Sequence, residues 1–254
     1  MTIGILGAMP QEIARLHDAI QSPRRVTRGM RDYVAGKIGG HDVVLVFSRW
    51  GKVAAASSVT TLIEVFGVDR ILFTGVAGAV ADDLAVGDVV IATELVQHDM
   101  DVSAVVDLKL ARFEIPLLHR ANFPTDPALV AVAMSASERY LSGALLRDVG
   151  AAELQAFGVG RPKVRSGLIV SGDQFIADAA RAKGLRALLP AAQCVEMEGA
   201  AVAQVCYEHG VPMAIVRVIS DKADHEAPVD FLRFIDKVAS HFTSGIVLEM
   251  LRAG

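Results

Sequence analysis

The chain has 254 residues, 52% of them hydrophobic, and its 25 Lys and Arg against 29 Asp and Glu give a formal net charge of −4. That length suits a single α/β domain spanning 1–254, and the acidic balance argues against a nucleic-acid surface. No uninterrupted apolar run reaches the ~18 residues of a membrane span, so no membrane partner and a cytoplasmic location are expected.

In chain order, Thr2–Gly7 reads as a short apolar strand, and 11–20 has helical spacing with Ile13, Leu16 and Ile20 on one face. The basic run from Arg24 to Arg28 reads as a solvated loop. Two strands, 31–38 and 42–48, are joined by the Gly39-Gly40 turn. An Ala-rich helix over 52–66 ends near Gly67. The strand 70–74 runs into Gly75-Val76-Ala77-Gly78, and 88–97 is another strand. Residues 103–125 lack a period and read as a long loop, which in a compact domain is usually functional. Asp126-Pro127 opens a helix to about Tyr140, and 148–162 reads as a second loop. Further strands are expected at 164–171, 193–196 and 212–219, with helices at 178–188, 199–209 and 230–252. Gly210 suits a left-handed cap. Strands apolar on both faces predict a central sheet covered by helices on both sides, a three-layer α/β sandwich.

Cys194 and Cys206 lie in apolar surroundings and outside any Cys-x-x-Cys pair, so they read as buried residues of a reducing compartment. Gly4-Ile5-Leu6-Gly7 does not fit the spacing of a dinucleotide loop. His98-Asp99-Met100-Asp101 lacks a second ligand cluster and reads as a polar strand end. There is no Gly-x-Ser-x-Gly elbow. What remains is three carboxylates at strand tips: Glu12 just past the first strand, Glu198 after Val195-Glu196-Met197, and Asp221 after Ile219-Ser220. An ionised carboxylate beside a buried strand is costly unless it is paired or its proton is used. Glu198 reads either as a helix N-terminal acid or as an acceptor for a diol such as a ribose. Arg217 interrupts an apolar strand and needs an anionic partner, for which one of the three acids is the candidate.

In these segments the chain resembles the 5′-methylthioadenosine/S-adenosylhomocysteine nucleosidases of the nucleoside phosphorylase superfamily. Eight stretches carry the resemblance in order: Gly4 to Met9 with Glu12; Gly51 to Ala56; Thr74 to Gly78; Val86-Gly87-Asp88; His98-Asp99 with Asp101-Val102; Ser171-Gly172-Asp173 with Phe175-Ile176; Val195 to Glu198; and Val216 to Asp221. The resemblance implies a mixed, twisted sheet and hydrolysis of the N-ribosidic bond of methylthioadenosine or S-adenosylhomocysteine. By the same resemblance, Asp221 would protonate purine N7 with help from Ser220, and Glu12 would activate the attacking water. Met197 and Glu198 would hold the ribose, with Arg217 near the water. Phe175 would stack on the base, the Ile176 backbone would bond its edge, and Ala77 and Gly78 would line the base pocket. No metal or organic cofactor is implied, and the partners are a small nucleoside, water and a second copy of the chain.

Three positions and the loop from Val105 to Pro124 depart from the family pattern. Gln174 replaces a small residue beside Phe175. Val76 stands where a Ser is common, and Trp50 stands where a smaller aliphatic residue is usual, near the 5′ substituent. Within the loop, Phe113, Ile115 and Pro116 are candidates to reach a neighbouring subunit.

Overall fold

The Val, Ile and Leu runs form strands, as β-branched and aliphatic side chains on a pleated surface favour. The computed structural model describes residues 1–105, 107, 109–223 and 227–253. Its strands are β1 (Thr2–Gly7), β2 (Gln21–Arg28), β3 (Arg31–Ile38), β4 (His41–Phe47), β5 (Arg70–Ala79), β6 (Val89–Gln97), β7 (Asn122–Pro124), β8 (Val164–Ser171), β9 (Ala192–Glu196) and β10 (Met213–Asp221). The helices are α1 (Pro10–Ala19), α2 (Lys52–Phe66), α3 (Pro127–Arg139), α4 (Leu145–Val149), α5 (Ala151–Ala156), α6 (Ala179–Leu188), α7 (Gly199–His209), α8 (Ala227–Phe234) and α9 (Ser240–Ala253). Single π turns join α3 to α4 and α8 to α9.

The strands form one mixed sheet. β1 is parallel to β4 and β5, β5 is parallel to β10, and β6 is parallel to β8 but antiparallel to β10. The pairings β5–β10–β6–β8–β9–β5 close part of the sheet into a ring, and β1, β4, β3 and β2 extend from it as an arm. β5 is the branch point. β10 runs along residues 71–78, whereas β1 pairs with 70–73 and β9 with 78–79. β1 and β9 therefore flank β5 at different heights and leave a gap in the ladder.

Helices cover both faces. Alternation along β4 sends Val43 and Leu45 toward α1, α3 and α9, where they join Ile13, Leu16, Phe242 and Ile246. Val44 and Val46 point toward α2 and α7, where they join Val59, Leu62, Val202 and Ala203. Each such side chain contributes about 1.5–3 kcal/mol on burial. Among the described residues no helix is long and apolar enough to cross a membrane.

Several expectations are corrected. Residues 24–28 are not a loop but part of β2, an almost fully exposed edge strand that, among the described residues, pairs only with β3. Its polar sequence and Pro23 hide it from a hydrophobic-pattern reading, and both suit an edge. The stretch 148–162 holds α5 and the end of α4. β5 continues through Gly75-Val76-Ala77-Gly78. The C-terminal helical region starts at Ala227 and is interrupted by a π turn. The expected loop 103–125 is corrected at its end, where Asn122–Pro124 form β7 against β6. Up to 121 its described residues make turns apart from an isolated bridge between Ile115 and Arg120, and residues 106 and 108 lie outside the described residues. Phe113 and Ile115 are buried against this chain's own core. Both cysteines are buried and free, and Gly210 closes α7 in the left-handed conformation.

Candidate active site

A cavity of about 360 Å³ opens at the carboxyl ends of β1, β5, β9 and β10. Glu12, Glu198, Asp221, Ser220, Met197, Gly78, Phe175 and Ile176 all line it. The three acids identified in the sequence therefore share one chamber, although some 200 residues separate the first from the last.

Glu12 is placed by the start of α1. Met9 is extended, Pro10 opens the helix, and Glu12 in the first turn folds its carboxylate back onto the preceding amides. Its Oε2 accepts hydrogen bonds from Ala8 N (2.7 Å) and Met9 N (2.9 Å), and its Oε1 accepts one from Val76 N (3.1 Å). Val76 lies in the gap between β1 and β9, so the carboxylate takes an amide that the ladder leaves unpaired. Thr243 and Ser244 of α9 donate to the Glu12 carbonyl and pin the turn from behind. Burial pushes the Glu12 pKa up, while Arg217 and the three amides pull it down, and burial prevails.

Asp221 ends β10. Ser220 Oγ donates to its Oδ2 (2.8 Å) and Ala223 N to its Oδ1 (2.9 Å). A Cβ on Gly78 would sit 2.9 Å from Asp221 Oδ1, so the wall opposite must be glycine for the carboxyl to fit.

The two glutamates of Glu196-Met197-Glu198 divide the labour that the sequence left open. Glu196, not Glu198, satisfies the N-terminus of α7, accepting from Gly199 N (2.8 Å) and Glu198 N (3.2 Å). Glu198 instead reaches across to accept from Gly51 N (2.8 Å) at the head of α2. Burial, and then the neighbouring Glu196 carboxylate, push the Glu198 pKa up to about 8.

Arg217 does not line the cavity. It is fully buried behind the wall, with its guanidinium 4.0 Å over the Phe73 ring. Its partner is Glu196, reached through Nε (3.2 Å) and Nη2 (2.7 Å), which corrects the expectation that one of the other three acids would take it. Ser171 Oγ donates to the same carboxylate. Sequence reasoning passed over Glu196, although the unpaired cation two strands away was the signal for a further buried acid.

The mouth is apolar. Trp50 is 57% exposed and Phe175 40% exposed at the rim, joined by Phe231 and Leu232 of α8. Phe175 packs edge-on against Phe231, with centroids 5.3 Å apart. Neither α8 residue was identified from sequence. The His98-Asp99 strand end lies outside this wall. There, Lys52 Nζ donates to Asp99 (2.6 Å) and Gln97 (3.0 Å), and Asp173 accepts from Lys52 N (2.8 Å), which fixes the start of α2. Asp101 is occupied by Ser103 instead.

Residues 2–252 match the profile of the Phosphorylase superfamily. A 5′-methylthioadenosine/S-adenosylhomocysteine nucleosidase of Shewanella halifaxensis is 38% identical over 254 residues, 99% of each chain. The nucleosidase of the same name from Neisseria meningitidis, in complex with methylthio-immucillin-A, superposes with a TM-score of 0.86 at 32% identity, over 100% of this chain and 99% of that one. Futalosine hydrolase of Helicobacter pylori is similar at a TM-score of 0.84 and 32% identity, over 100% and 98%.

Proposed function

The chain belongs to the 5′-methylthioadenosine/S-adenosylhomocysteine nucleosidase family of the phosphorylase superfamily, and on that premise we propose that it hydrolyses the N-ribosidic bond of these nucleosides, releasing adenine and the 5-thio-ribose product. The observation that carries this reading is the convergence of Glu12, Glu198 and Asp221 on one cavity with an aromatic rim.

In this reading the purine lies against Phe175, the Ile176 backbone and Gly78. Asp221, oriented by Ser220, passes a proton to N7 and makes the base a better leaving group. Glu198 accepts from the ribose hydroxyls beside Met197. Glu12, held by three amides, takes the proton of the attacking water. Departure of the base leaves an oxocarbenium-like sugar, and the surrounding carboxylates stabilise that charge in a low-dielectric chamber. Arg217 acts from behind, through Glu196. Val76 contributes its amide to Glu12 and no hydroxyl to the chamber.

A phosphorolytic reaction fits less well. Among the described residues the wall carries Glu12, Glu196, Glu198 and Asp221 and no Lys or Arg, so a phosphate dianion would meet repulsion. The likeness to futalosine hydrolase makes the 5′ substituent the point to test. Trp50 at the rim narrows the space for that substituent, so methylthioadenosine is expected to be preferred over S-adenosylhomocysteine. Release of free base is measured in phosphate-free buffer from methylthioadenosine, S-adenosylhomocysteine, adenosine and futalosine. The reading expects adenine from methylthioadenosine with the highest kcat/KM. Base release only with added phosphate, or only from futalosine, overturns it. We further expect a cytoplasmic homodimer, with the exposed Leu117 of the long loop at the contact.

A further inference from the structure

Arg217 and Glu12 approach each other without pairing. A Cβ on Gly75 would lie 2.9 Å from Glu12 Oε1 and 3.3 Å from Arg217 Nη1, so both groups face the same small space. Yet the guanidinium spends Nε and Nη2 on Glu196 and Nη1 on the Val216 carbonyl (3.0 Å), and Glu12 is held by backbone amides. The Glu196 carboxylate that takes Arg217 also binds the amides of Glu198 and Gly199 and the Ser171 hydroxyl. One buried side chain thus links the cation behind Glu12 to the turn that aims Glu198.

We propose that Glu196 is a positioning residue for the hydrolysis, which neutralises Arg217 so that Glu12 stays a strong base and which fixes the direction of the Glu198 carboxyl. The inference rests on the nucleosidase reading for its catalytic consequence, though not for its electrostatic one.

The electrostatic consequence has a definite sign. The charges acting on Glu12 are Arg217 from β10 and Glu198 from the β9–α7 turn, with Asp221 across the same cavity. Glu196 acts on it through Arg217, and farther along α1 Arg15 is engaged by Asp148 and His241. Removing the Glu196 charge leaves Arg217 uncompensated, which favours ionised Glu12 and ionised Glu198 alike. Both become weaker bases.

The test is Glu196→Gln, with Glu196→Asp as the variant that keeps the charge but withdraws it by one methylene. The Glu12 carboxyl titration is followed by ¹³C NMR, and kcat/KM for methylthioadenosine is followed against pH. In Glu196→Gln the Glu12 titration and the acid limb of the profile are expected to move to lower pH while the plateau falls. Glu196→Asp should move both less and recover part of the plateau. Should the Gln variant fail to fold, the Asp variant decides alone. A plateau that falls with titration and limb unmoved from wild type would reduce Glu196 to a structural residue and overturn the proposal. If the wild type releases no adenine, the nucleosidase reading fails, and the NMR titration still judges the charge balance.

Discussion

Two groups of carboxylates in this molecule are put to opposite ends. Along the β2–β3–β4 arm, Arg25 pairs with Asp32 and Lys37 with Asp42 in solvent, and the Lys37 partner holds the Asp42 carboxyl below its usual range. At the carboxyl ends of β1, β9 and β10, Glu12 and Glu198 are buried, and burial holds both above theirs. Water makes the first group nearly free of consequence, because screened pairs gain little and cost side-chain entropy. Exclusion of water makes the second group costly to keep and chemically useful. The opposite directions follow from what surrounds each carboxylate: a cation in water for Asp42, burial for Glu12 and Glu198.

The largest effect is expected at the two ends of the proposed reaction. Asp221→Asn and Glu12→Gln should each lower kcat by roughly 10²–10⁴ while adenine and substrate analogues still bind. Steady-state rates with calorimetric binding check this, and a near-normal rate in either variant removes that residue from the mechanism. Next comes the buried pair. Arg217→Met leaves Glu196 unpaired in the core and should destabilise the fold by about 3–5 kcal/mol, read from urea unfolding. Recovery of stability on adding Glu196→Leu would locate the cost in the stranded charge.

A smaller effect follows from Glu198. If the ionised carboxylate accepts from the ribose, KM should fall as pH rises toward about 8 and then level. Stability should move the other way. A carboxyl raised from 4.5 to about 8 keeps, in the folded state, a proton that the unfolded chain has released. Its favourable contribution is therefore fullest below 4.5 and declines as pH climbs to about 8. Thermal melts of wild type and Glu198→Gln across that window read the difference. The smallest effect belongs to the arm, where Arg25→Ala should leave both the melting temperature and the rate unchanged within error.

Legibility in the sequence followed the same division. Buried strands announce themselves as apolar runs, and a carboxylate at the end of one stands out, which is why Glu12, Glu198 and Asp221 could be named from sequence. β2 could not be read, since an exposed edge strand containing Pro23 carries no apolar period. Glu196 lies only two residues from Glu198, yet its role depends on Arg217 across the closed ring, a pairing that local pattern does not encode. Phe231 and Leu232 reach the rim only because α8 folds back over it. The partner of Arg217 was predictable as a kind, an anion, but not as a residue.

The decisive measurement is the fate of solvent oxygen. Methylthioadenosine is incubated with the enzyme in phosphate-free ¹⁸O-water, and the products are analysed by mass spectrometry. Adenine should appear together with 5-methylthioribose carrying one ¹⁸O, at a rate that added phosphate does not raise. Formation of a sugar phosphate, or turnover that waits for phosphate, would contradict the assignment of water as nucleophile beside Glu12.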